Sequence, residues 1–153
     1  GVGSDVPFCI RGGTQLAEGR GEMLTVLKAA PPLYAVICKP DFPISTPALF
    51  ARVDGVTLTD RPDTAAMLAA IEDGNADALC ANVRNVFEQA LEGSQRNCVE
   101  KLKRALILYG ARCAAMTGSG SAVFGLFRDE DACRAACEAL QSESVAAFCA
   151  EFV

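Results

Sequence analysis

Between two proline stops, Ala30-Pro-Pro32 and Lys39-Pro40, the chain runs Leu33-Tyr-Ala-Val-Ile-Cys38. A continuous apolar run rich in strand formers, with no polar alternation, describes a strand covered on both faces. Covering it takes a sizeable apolar core. A chain of 153 residues with 51% hydrophobic content is long and apolar enough to build one.

The segments after that strand read mostly as helices. Ser45-Thr-Pro47 ahead of Ala48-Leu-Phe-Ala-Arg52 places a hydroxyl N-cap and a proline in a first turn. Pro62 to Asp73 predicts a helix ended by Gly74, and Asn75 to Leu91 a second one ended near Gly93. After Ser94, the apolar residues Cys98, Val99, Leu102, Ala105, Leu106 and Tyr109 recur at threes and fours, while Glu100, Lys101, Lys103 and Arg104 fill the opposite face. That helix stops at Gly110 and packs one face on a sheet.

Cys113 to Met116 and Ala122 to Phe127 read as strands flanking a glycine loop, Asp129 caps a helix through Leu140, and Val145 to Val153 makes a last strand. Strand, several helices, strand, strand, helix, strand is an α+β order. It predicts a ferredoxin-like, split βαβ domain over residues 31–153, with extra helices inserted after its first strand. Residues 1–30 differ from the rest. Their Ser-Asp-x-Pro start and the glycines of Arg11-Gly-Gly-Thr14 and Glu18-Gly-Arg-Gly-Glu22 predict short strands joined by glycine turns.

Charge and cysteines exclude several function classes. A net charge of −5 with 14 Lys and Arg in no dense run argues against a nucleic-acid surface or an acidic-membrane patch, leaving a small molecule or a protein as partner. The longest apolar stretches, such as Ala105 to Tyr109 and Val145 to Ala150, are too short to span a bilayer. No basic, signal-like apolar opening marks the chain for export, so the expected location is cytoplasmic. Eight cysteines without a CxxC pair, in a chain without His, predict buried free thiols and no metal site. Cys133 and Cys137 share a helical face, a spacing that permits metal binding but fits a core stripe equally.

Three stretches could carry chemistry. In Met116-Thr-Gly-Ser-Gly-Ser-Ala-Val-Phe-Gly-Leu-Phe127 the glycines are spaced GxGxxxxG and lead into a strand, so neither a dinucleotide fingerprint nor a Walker loop is present. The loop is either a hairpin turn or a nest of N–H groups that approaches an anion. Asp5 in Gly3-Ser-Asp-Val-Pro-Phe8 is either a helix N-cap or a carboxylate that orients and deprotonates an attacking hydroxyl. Phe50 in Ile44-Ser-Thr-Pro-Ala-Leu-Phe50 is either core or the rim of a site, where it stacks on a flat ring while Thr46 offers a hydroxyl.

Taken in order, GSDVPFC with GGT, ISTPALF, NVFE at residues 85–88 and MTGSGSAVFGLF resemble the C-terminal portion of the 4-diphosphocytidyl-2-C-methyl-D-erythritol kinases over essentially the whole chain. These belong to the superfamily of galactokinase, homoserine kinase, mevalonate kinase and phosphomevalonate kinase. The resemblance implies transfer of the γ-phosphate of ATP, with Mg2+, to the 2-hydroxyl of the cytidine-linked methylerythritol in non-mevalonate isoprenoid biosynthesis. It matches Asp5 to the catalytic aspartate and Thr117, Gly118, Ser119 and Gly120 to the active-site glycine loop. Thr46, Pro47 and Phe50 match the segment lining the cytidine pocket.

Ser121 stands where many members have Pro, a change that would loosen the loop, and Cys9 stands where many have Phe. The N-terminal groups that hold ATP in the family are not in this sequence. By the resemblance the chain is therefore a fragment, inactive alone, with residues 1–30 a remnant of the preceding domain and inclined to self-associate through uncovered surface. Two rival readings are a homoserine or mevalonate type of kinase and a stand-alone ferredoxin-like regulatory domain that binds a small ligand.

Overall fold

The computed structural model describes residues 6–142 and 145–152. In chain order its elements are α1 (Val6–Arg11), β1 (Gln15–Glu18), β2 (Met23–Val26), β3 (Tyr34–Pro40), α2 (Thr46–Gly55), α3 (Thr64–Glu72) and α4 (Ala76–Asn82). A 3-10 turn (Val86–Ala90), α5 (Gly93–Leu108), β4 (Cys113–Met116), β5 (Val123–Phe127), α6 (Glu130–Leu140) and β6 (Val145–Glu151) complete it.

The apolar run becomes β3, an inner strand of a four-stranded antiparallel sheet ordered β4-β5-β3-β6. Val36 faces Gly125 across one ladder and Cys149 across the other. Alternation then sends the residues of β3 into two cores. Val36 and Cys38 pack with Leu49 of α2, Val99, Leu102 and Leu106 of α5, and Cys133 and Ala136 of α6. Leu33, just ahead of the strand, and Ala35 pack with Ala70 and Ile71 of α3 and with Leu79 and Cys80 of α4. Each large side chain fully buried this way contributes roughly 1.5–3 kcal/mol before entropy is counted.

On β5 the same alternation aims Val123 and Phe127 at the first core and Leu126 at the second. Gly125 lies between them under α5, where an added Cβ would meet Ala111 Cβ and Leu106 Cβ at 3.1 Å each. The glycine is a packing requirement, since it lets the helix approach the strand.

Helix ends follow their caps. Asp63, Asn75 and Asp129 each accept the N–H three residues on, opening α3, α4 and α6. The helix expected over 75–91 is two elements. Val83 and Asn85 are extended, and the Asn85 side chain accepts the Phe87 N–H at 2.9 Å, so it caps a new turn where a continuous helix would need helical backbone.

Residues 6–26 form a short helix and a two-stranded hairpin in which Gln15 pairs with Val26. The segment is tied to the chain that follows where the Ala30 N–H donates to Thr14 Oγ1 at 2.9 Å, and just beyond the hairpin Lys28 Nζ donates to the Glu72 carbonyl at 2.6 Å. The eight cysteines are free, but not all are buried: Cys9 and Cys149 are exposed, while Cys38, Cys80 and Cys133 are in the cores. Burial pushes the Cys38 thiol up to about 11, which leaves it almost no thiolate near neutrality. Among the described residues no helix is long and apolar enough to cross a membrane.

Replacing Gly125 by Val forces two γ-methyls against Leu106 and is expected to cost about 1–3 kcal/mol, read as a lowered urea midpoint of the chain.

Candidate functional site

The glycine loop hangs between β4 and β5. Its neck closes when the Thr117 N–H donates to the Ala122 carbonyl and the Gly120 N–H to the Thr117 carbonyl, both at 2.9 Å. Gly120 has φ +82, and a Cβ there would sit 2.5 Å from Met116 Sδ and 2.9 Å from Ile44 Cδ1. The left-handed conformation favours glycine, and a Cβ would in addition push aside the ends of the Met116 and Ile44 side chains.

Three other parts of the chain hold the loop. Asn85 Nδ2 donates to the carbonyls of Met116 and Gly118 at 2.7 and 2.8 Å. Glu88 Oε1 accepts the Met116 N–H at 2.6 Å. Thr46 Oγ1 lies 2.7 Å from Ser119 Oγ, joining the start of α2 to the loop tip. Ser121, 1% exposed, donates to the Phe42 carbonyl at 2.6 Å and accepts from Lys39 Nζ at 2.9 Å. The serine expected to loosen the loop instead anchors its far end, because its hydroxyl is satisfied in both directions.

On α2, Ser45 caps the first turn by accepting the Ala48 N–H, and Pro47 occupies that turn. Leu49 is fully buried, whereas Phe50 is 53% exposed and so belongs to the surface rather than the core. One turn separates Thr46 from Phe50, placing both on one helix face. The Phe50 ring meets Phe87 edge-on with centroids 4.8 Å apart. Thr46, Phe50 and Thr117–Gly120 thus gather in one place, while Asp5 lies outside the described residues.

Behind the loop, Lys103 pairs with Glu88 and with Glu100 at 3.2 Å. Burial works to lower the Lys103 ammonium, but hydrogen bonds and charge from Glu88 and Glu100 outweigh it and leave the group above its ordinary value. The NVFE stretch holding Asn85 and Glu88 marks the resemblance, but the sequence gives neither residue a role at the loop, and nothing local ties Lys39 or Ser121 to each other.

Among the described residues, no hydrogen bond takes up the Gly118 and Ser119 N–H groups, which leaves two donors for an anion. No three His, Cys, Asp or Glu side chains among the described residues converge to hold a metal.

Residues 64–146, more than half of the chain, match the family model described as GHMP kinases C terminal. This chain belongs to the GHMP kinase family. The GHMP model covers α3 through the start of β6, including Asn85 and the glycine loop, but not Thr46 or Phe50.

Curated relatives extend the likeness. The 4-diphosphocytidyl-2-C-methyl-D-erythritol kinase of Caldicellulosiruptor saccharolyticus is 42% identical over 136 residues, 88% of this chain and 47% of that protein. The enzyme of the same name from Clostridium tetani is 38% identical over 130 residues, 85% of this chain and 46% of its own length. The chain spans about half the length of these relatives.

Among solved structures, a 4-(cytidine 5'-diphospho)-2C-methyl-D-erythritol kinase superposes with TM-score 0.75 at 29% identity, covering 96% of this chain and 52% of that one. Homoserine kinase from Cytophaga hutchinsonii superposes with TM-score 0.71 at 16% identity, covering 97% and 50%, a likeness of fold alone.

The ion pair under the GHMP loop has a pH signature. Because the folded value of Lys103 lies above its ordinary 10.5, the pair stabilises fully below that pH and is lost as pH rises through the folded value. Lys103→Met is expected to cost about 1–3 kcal/mol at pH 7. In urea melts its deficit against the unmutated chain should shrink above pH 10.5.

Proposed function

We propose that this chain is the C-terminal half of an ATP-dependent kinase that phosphorylates the 2-hydroxyl of 4-diphosphocytidyl-2-C-methyl-D-erythritol, in cytoplasmic isoprenoid precursor synthesis by the non-mevalonate route. The observation that carries this is the Thr46–Ser119 contact, which sets the acceptor-side helix against the glycine loop. Phe50 offers cytosine an exposed ring braced by Phe87. The relatives' names, at up to 42% identity, point to the same acceptor.

In the reaction the acceptor oxygen attacks the γ-phosphorus, the bond to the bridging oxygen breaks, and ADP leaves. Asp5 takes the hydroxyl proton as general base. Gly118 and Ser119 N–H groups bind phosphate oxygens whose charge rises during transfer. Magnesium would arrive with ATP, held through the phosphates and one or two carboxylates, and would offset the charge of the transferred group. The part of the described residues is positioning.

We also read residues 1–30 as the end of a preceding domain and residues 31–153 as a ferredoxin-like, split βαβ domain with helices inserted after β3. The sheet order β4-β5-β3-β6 supports the second reading. Exposed Phe8, Ile10, Met23 and Val26 support the first, as does a cavity of 540 Å³ between Phe8, Met67, Leu79 and Phe152. Such surface in the isolated chain favours self-association. Sedimentation velocity should show the weight-average mass rising with concentration; a monomer at every concentration would overturn this.

The activity is tested in the full-length protein with the cytidine compound, homoserine and mevalonate as competing acceptors. Transfer to the cytidine compound is expected, with kcat about 100-fold lower or worse in Asp5→Asn. In Phe50→Ala, the KM for that acceptor should rise about tenfold. Preference for homoserine or mevalonate, or indifference to both substitutions, would sink the proposal.

A further inference from the structure

The Asn85 amide is fully employed. Its oxygen accepts the Phe87 N–H at 2.9 Å, and its nitrogen donates to the Met116 and Gly118 carbonyls at 2.7 and 2.8 Å. Two carbonyls only accept and an N–H only donates, so the partners themselves decide which end of the amide is which. An aspartate of the same size could not donate to either carbonyl.

The bond to Gly118 matters most for chemistry. In a trans peptide the carbonyl and the following N–H point in opposite directions within one plane. Holding the Gly118 carbonyl toward Asn85 therefore aims the Ser119 N–H away from it, on the far side of the loop. Gly118 has φ +54 and nothing within 4 Å of its missing Cβ, so on its side of that peptide no side chain restricts rotation.

Resting on the proposed kinase reading, we infer that Asn85 is a positioning residue that locks the Gly118–Ser119 peptide so that the Ser119 N–H faces the transferred phosphate. The same short turn carries Phe87, which braces Phe50, so one backbone segment aligns the acceptor wall with the phosphate-binding donor. Asn85 touches neither reactant and acts through the loop.

The test uses the full-length protein with Asn85→Ala and Asn85→Asp. Asn85→Ala should lower kcat about 100-fold, the scale of a misplaced group or a lost oxyanion donor, with a much smaller rise in the KM for the cytidine compound; its thermal midpoint falls with the lost cap and hydrogen bonds, so the assay is run well below it. The 15N-relaxation order parameter of the Ser119 N–H should fall, because the peptide loses its tether. Asn85→Asp should be as impaired at pH 8 but recover as pH falls, because two facing carbonyls raise its carboxyl pKa and the protonated acid regains one donor. Asn85→Ala should show no such recovery.

Unchanged kcat in Asn85→Ala, or a loss without a lower Ser119 order parameter and without acid recovery in Asn85→Asp, would overturn the inference. If the unmutated protein transfers no phosphate to the cytidine compound, the kinase reading fails by itself. The Ser119 order parameter then decides the tether separately: a fall in Asn85→Ala upholds it, and an unchanged value overturns it.

Discussion

Burial of one strand from both sides organises this molecule. β3 contributes Val36 and Cys38 to one core and Ala35 to the other, with Leu33 at its entrance. Both faces must be covered by helices, since an apolar strand open to water on either side would forfeit several kcal/mol. The first core draws in α2, α5 and α6, and the second α3 and α4. The sheet, the helices and the loop ends take their places from that requirement.

The site is a by-product of the same packing. Buried Leu49 fixes α2 against the first core, and this exposes its neighbour Phe50 and turns Thr46 toward Ser119. Met116 and Val123, buried at the two ends of the glycine loop, hold its base. Side-chain hydrogen bonds from Asn85, Glu88 and Ser121 then select one loop conformation out of the many that its glycines permit. Rigid elements thus present a mobile composition in a defined shape.

Much of this was legible in the residues. The double-sided strand, the loop between two strands, the N-caps at Ser45 and Asp129 and the amphipathic α5 were readable because each depends on neighbours a few residues away. The expected helix over 75–91 did not survive as one piece. Periodicity continued through it, but Asn85 satisfied its side chain by breaking the backbone there and reaching the loop. Reading Ser121 as a weak point failed for a related reason: its partners, Phe42 and Lys39, lie 79 and 82 residues away.

The sequence alone determined most of the helices and strands, because turns, caps and apolar periodicity are short-range properties of the chain. It also determined the family, through motifs kept in order. Only the tertiary structure decided that Leu49 rather than Phe50 enters the core, and that Asn85 closes on a loop 31 and 33 residues away. Neither choice is visible locally. Each depends on which surfaces the sheet brings within hydrogen-bonding or van der Waals reach once both faces of β3 are covered.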